Sequence, residues 1–164
     1  AGDLDAAAHV FEEAVNVLDR GTYEYSALLN NYSLLKLEMD DREGALDMAV
    51  RALELVKEQG APQHETASSL NNIAAVYIRL GEYQKAEELL DEALSIYDSL
   101  PARNCHHSAA LYSKAVVRAE RGEFKEAEEL LERSLELTEY FFGKNADYLR
   151  TEELLKTLRK RNRS

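Results

Sequence analysis

Residues 66–97, TASSLNNIAAVYIRLGEYQKAEELLDEALSIY, decide the architecture of this chain. Before Gly81, the residues Leu70, Ile73, Ala74 and Tyr77 recur at the spacing of one helix face, and after it Tyr83, Ala86, Leu90, Ala93, Leu94 and Tyr97 do the same. Two amphipathic helices around one glycine are therefore predicted. Neither hides its apolar stripe alone, so the two must pack on each other. Ala86 and Ala93 lie two turns apart on one face, where small side chains admit a close neighbour.

Moved forward by 41 residues, the pattern falls on Leu111, Ala115, Gly122, Phe124, Ala127, Leu130, Leu131, Ser134, Leu135 and Leu137. Moved back by 41, it falls on Leu29, Asn30, Asn31, Ala45, Ala52, Leu53 and Leu55, with Asp40 in the place of the glycine. Ala7, Phe11, Ala14, Val15 and Val17 match only a second helix. A fixed period of this size indicates a solenoid, in which each unit buries its apolar face by stacking on the next.

Breakers at Gly21, Gly60, Pro101 and Gly143 divide the chain, and together the units form one domain over 1–164. The predicted units are an orphan second helix at 1–20, repeats at 22–60, 62–100 and 104–142, and a last helix at 145–162. Gly21 is expected to cap the first helix at its C-terminus. Asn145 or Asp147 is expected to cap the last, whose stripe is Tyr148, Leu149, Leu155 and Leu158. The orphan helix leaves an apolar side, drawn from Val10, Phe11 and Val17, without the first helix it would meet. That side must be exposed, covered by a contact the pattern does not predict, or buried in a second molecule, and two causes stand: cropping from a longer array, or a homodimer through the N-terminal helix.

Composition bounds the partner. A net charge of −11 and a pI near 4.9 argue against a nucleic-acid backbone or an anionic membrane and favour a basic partner. No apolar run approaches the length of a membrane span, and the N-terminus lacks the pattern of a secretory signal. One cysteine permits no internal disulfide, which fits a reducing, cytoplasmic location.

The order Leu70, Asn72, Ile73, Ala74, Tyr77, Gly81, Tyr83, Ala86, Leu90, Ala93, Leu94 resembles the tetratricopeptide repeat. The usual period of that repeat is about 34 residues. The period of 41 and the LNN opening are similar to the long variant of kinesin light chains and many bacterial repeat proteins. This resemblance, over residues 1 to about 142, implies an all-α, right-handed superhelical solenoid of antiparallel helix pairs with a C-terminal capping helix. It also implies that the first helices line a concave groove.

Carried over residue by residue, the groove positions are Asn30, Asn31, Leu34 and Glu38, then Asn71, Asn72, Ala75 and Arg79, then Tyr112, Ser113, Val116 and Glu120. A carboxamide both donates and accepts, so the paired asparagines suit the main chain of an extended peptide whatever its side chains. They suit equally the internal task of holding adjacent first helices together. The two-cation clamp of one chaperone-binding subclass is absent, because Asn30, Ala109 and Ser113 stand where it needs Lys or Arg. Lys36, Tyr77 and Arg118 share a position where the family favours an aromatic. The cations there either lay their stems on apolar surface or, with Lys114, meet a carboxylate of a ligand.

Chemistry has little support. Cys105, His106 and His107 are adjacent and point in different directions, whereas zinc needs three or four converging ligands. Glu87-Glu88 and Glu128-Glu129 follow the pattern of solvated outer faces. No phosphate-cradling glycine loop, HExxH or GxSxG is present. The tail at 156–164 carries five cations, and subtracting them from −11 leaves −16 on the rest. Cations there complement a helix C-terminus, or touch an anionic partner or an acidic surface of another copy. The expected function is a non-catalytic protein- or peptide-binding scaffold or adaptor, without cofactor or metal. The alternatives are a peptide-sensing domain of a larger bacterial signalling protein and a self-assembly module.

Overall fold

A helical hairpin needs a residue that tolerates the left-handed backbone where its first helix stops, and each complete unit of this chain supplies one. The computed structural model describes residues 2–162, the Tyr23 side chain excepted. These residues form eight helices and no strand: α1 (Gly2–Val17), α2 (Tyr23–Glu38), α3 (Arg42–Glu58), α4 (Gln63–Leu80), α5 (Tyr83–Ser99), α6 (His107–Glu120), α7 (Phe124–Phe142) and α8 (Ala146–Asn162). The hairpins α2–α3, α4–α5 and α6–α7 turn at Asp40, Gly81 and Gly122, whose φ angles are 62°, 75° and 80°.

The three turns share one hydrogen-bond pattern. At the glycine of the middle turn, the Gly81 N–H donates to Ile78 O at 3.0 Å and the Glu82 N–H to Tyr77 O at 2.9 Å. Asp40 and Asp41 repeat this onto Leu37 and Lys36 at 3.2 and 2.9 Å, and Gly122 and Glu123 onto Ala119 and Arg118 at 3.0 and 2.9 Å. These paired bonds satisfy the last carbonyls of the first helix. The next residue then starts the second helix; in α3 the Asp41 carboxylate accepts the Gly44 N–H at 2.9 Å.

Equivalent positions of the three units supply the buried core. Ala45, Ala86 and Ala127 are fully buried, as are Ala52 and Ala93, with Ser134 nearly so. Leu29, Leu70 and Leu111 face them from the first helices. Small residues on both helices of a unit, Ala67 and Ala74 on α4 and Ala86 and Ala93 on α5, let the helices approach closely, and Leu70 and Leu90 fill the space between them.

The stack curves. α2 touches α4 and α4 touches α6, whereas no comparable contact joins α3 to α5 or α5 to α7. First helices crowded side by side and second helices splayed apart put the first-helix layer on the inner side of the curve. α8 packs on α7 and closes the core with Leu155 and Leu158.

The expectations for Gly21 and Leu149 are corrected, and the side of α1 that bears Phe11 is found in part covered. α1 stops at Val17, and Gly21 serves the following turn instead, donating its N–H to Asp19 Oδ1 at 3.0 Å. The Asp19 side chain holds that turn and Thr22 caps α2 through the Tyr25 N–H at 3.3 Å. Phe11 does not share the open side with Val10 and Val17, which are 64% and 83% exposed; it stacks on Tyr32 of α2 at 5.3 Å. Leu149 points outward at 57% exposure, and Thr151 takes its place in the buried stripe of α8. Of the two candidate caps, Asn145 accepts the Tyr148 N–H at 3.0 Å. Arg163, the fifth cation of the tail, lies outside the described residues.

Candidate functional site on the inner face

Positions separated by 41 residues fall in rows across α2, α4 and α6. The first row is apolar: Leu34 is exposed, and Ala75 and Val116 are half-buried. The second carries charge of alternating sign, with Glu38, Arg79 and Glu120 all exposed. The Arg79 guanidinium reaches only as far as Leu37 O, at 3.5 Å. Two further rows are polar and hold the asparagines: Asn30, Asn71 and Tyr112 in one, Asn31, Asn72 and Ser113 in the other.

The paired asparagines divide by role. Asn30 and Asn72 are only 7% and 8% exposed. The Asn72 side-chain N–H donates to Asn30 Oδ1 at 3.1 Å, and the Asn30 side-chain N–H donates to Ser69 Oγ at 3.0 Å. This chain ties α2 to α4. Burying an amide without a partner costs about 1–3 kcal/mol, and Asn72 and Ser69 together supply the Asn30 amide with a donor and an acceptor where the helices meet. For Asn30 and Asn72 the reading as main-chain partners of a peptide therefore gives way to the internal one.

Asn31 and Asn71 lie outside that hydrogen-bonded chain. Asn31 is exposed; Asn71 is half-buried in the middle of the layer, and its Oδ1 is itself buried without a hydrogen bond within the protein. In the third unit Tyr112 and Ser113, both half-buried, replace the pair. The Arg150 guanidinium of α8 lies 5.2 Å over the Tyr112 ring, a cation–π contact that brings the last helix to the edge of this face.

The cations set aside for a ligand carboxylate already have partners. Lys36 reaches Asp41 at 2.8 Å and lies over the Tyr32 ring at 4.9 Å. The pair lifts the Lys36 pKa and lowers that of Asp41, in each case first through their hydrogen bond. Lys114 pairs with Asp91, and Arg118 with Glu87 at 2.7 Å, with Glu123 and with Glu126 at 3.5 Å. Contact with Glu123 raises the Arg118 pKa and lowers its partner's.

Glu87 corrects the expectation of a solvated acidic pair. It is buried and bridges Arg118 and Arg121, so it joins α5 to α6. Nothing in the helical pattern of α5 marks it, because its partners lie 31 and 34 residues downstream. Cys105, His106 and His107 do not converge. His107 is buried with its ring stacked on Tyr97 at 5.1 Å, while His106 is exposed. Among the described residues no group of three or more His, Cys, Asp or Glu side chains is arranged to hold a metal ion.

Stacked helical hairpins with their first helices side by side define a repeat protein of the solenoid class. Models of the tetratricopeptide repeat match residues 24–99 and 110–140, well over half of the chain between them. The chain belongs to the tetratricopeptide repeat family. No curated protein matches it.

Solved structures share the fold. BtubC (BKLC) from P. vanneervenii superposes with a TM-score of 0.73 at 20% identity, over 97% of this chain and 66% of that protein. This chain therefore spans a little under two thirds of that relative's length. A putative kinesin light chain of Podosopora anserina with nearly identical TPR-like repeats gives 0.68 at 18% identity, over 98% of this chain and 80% of the other. A single-substitution variant of that protein gives 0.69 at 18% identity, over 98% and 79%. No described helix is long and apolar enough to cross a membrane.

Proposed function

We propose that this chain is a non-catalytic binding module that holds an extended segment of a partner protein along the inner face of α2, α4 and α6. Tetratricopeptide repeats generally mediate protein–protein interaction, and the family is typically a scaffold rather than an enzyme. Asn31 and Asn71 meet the main chain of the segment. Leu34, Ala75 and Val116 receive its apolar side chains, and Glu38, Arg79, Glu120, Tyr112 and Ser113 select among sequences.

One observation carries this reading. Asn72 is committed to Asn30, while its half-buried neighbour Asn71 keeps a carboxamide whose buried oxygen has no partner in the protein. A half-turn about the last side-chain bond exchanges its donor and acceptor ends, so either can face a passing peptide group.

Selection from a library of displayed random peptides tests the reading. Wild type is expected to enrich sequences that Asn71→Ala binds at least several-fold more weakly, with melting unchanged. Equal binding by the variant would remove Asn71 from the site, and enrichment of nothing would remove the groove.

A further inference from the structure

Beyond Tyr112 the inner face ends in a recess of about 90 Å3 between α6, α7 and α8. That is about three times the roughly 30 Å3 share of one water molecule in the liquid. Its floor carries the buried hydroxyls of Ser134, Thr138 and Thr151. Each gives its proton to a main-chain carbonyl: Ser134 to Ser108 O at 2.9 Å, Thr138 to Ser134 O at 2.8 Å, and Thr151 to Asp147 O at 2.8 Å. A hydroxyl that has donated its one proton can only accept from anything else. The floor therefore asks for donors.

The walls and mouth ask for a positive charge. Tyr112 and the exposed Phe142 supply aromatic rings, and the Asp147 carboxylate stands at the rim. Arg150 already illustrates the preference, since its guanidinium lies over Tyr112 and pairs with Asp147 at 2.7 Å. A compact ammonium on a slim apolar stem combines what these surfaces require: three donors for the floor, a charge for Asp147 and methylenes for the rings. A carboxylate could pair with Arg150 but would find no donor on the floor, where Ser134, Thr138 and Thr151 have already given their protons. The protein as a whole, at −11, draws cations toward it.

We propose that this recess receives one lysine side chain, delivered by the segment that the inner face is proposed to hold, a premise on which the inference rests. The ammonium donates to the hydroxyl oxygens of Thr138 and Thr151, and Asp147 turns from Arg150 toward it.

A single-residue probe separates the recess from the groove. Titration of the isotope-labelled protein with N-acetyl-lysine N-methylamide is expected to shift the amide signals of Tyr112, Thr138 and Thr151 saturably. The norleucine analogue is expected to leave them unmoved, and Asp147→Asn to weaken the lysine probe at least threefold. Absence of saturable shifts at Thr138 and Thr151, or equal shifts from norleucine, would overturn the inference. If selected peptides still shift Asn71 and Val116 in that case, the groove survives and the recess alone is lost.

Discussion

The Asn72 side chain donates to Asn30 Oδ1 at 3.1 Å, across 42 positions of sequence, at the seam between two first helices. The neighbouring residue of each pair is more open, Asn31 exposed and Asn71 half-buried. Asn72→Ala leaves the Asn30 oxygen buried without its donor and is expected to cost about 1–3 kcal/mol. Asn31→Ala, at the surface, is expected to stay within about 0.5 kcal/mol of wild type. Urea denaturation measures both, and equal losses would contradict the division of roles.

Ala86 and Ala93 are fully buried where α5 meets its neighbours. Ala86→Leu or Ala93→Leu adds three heavy atoms to a contact with no space for them and is expected to destabilise by about 1–3 kcal/mol. Thermal melting checks this. Leucine tolerated at both sites would mean that the helices do not approach there.

Asp40 holds a φ of 62° in a turn whose counterparts are glycines. Its carboxylate accepts from Arg42 at 2.9 Å, an exposed pair of small worth. Relief of the left-handed strain outweighs the added freedom of glycine in the unfolded chain, so Asp40→Gly is expected to stabilise by about 1 kcal/mol. A lower melting temperature for the variant would show that the aspartate is satisfied in that turn.

His107 links stability to pH. Burial pushes its pKa below the ordinary value of 6.5; nearby Asp98 opposes this and Arg133 adds to it. A histidine with a depressed folded pKa binds fewer protons folded than unfolded, so its contribution is fully present above about pH 6.5 and declines as pH falls through the folded pKa. Wild type is expected to lose stability between pH 7 and pH 5 more steeply than His107→Phe, which keeps the stacking on Tyr97. Parallel profiles in denaturant titrations would contradict a buried neutral imidazole.

The family and the all-α solenoid were legible in the sequence because they rest on periodicity. Leu70, Ala86 and Ala93 recur at helical spacing, and the same residue types recur 41 positions away. Even Asp40 in the glycine position could be located, since the register passes through it. The fate of single polar side chains was less legible. Periodicity places Asn71 and Asn72 on one face but does not say which of two adjacent amides turns to the neighbouring helix, a matter of a step of about 100° around the helix axis. Glu87 reads as solvated because an acid on a polar face looks the same with or without an arginine from another helix beside it. Leu149 failed for the opposite reason: an apolar residue near helical register was assigned to the core, whereas Thr151 sits inward by giving its hydroxyl proton to Asp147 O at 2.8 Å.

The most direct test of the central claim is the map of amide shifts on the isotope-labelled protein when a peptide selected by it is added. The account predicts that the changes gather at Asn31, Leu34, Asn71, Ala75 and Val116, on α2, α4 and α6. Changes confined to the outer helices α3, α5 and α7 would contradict it.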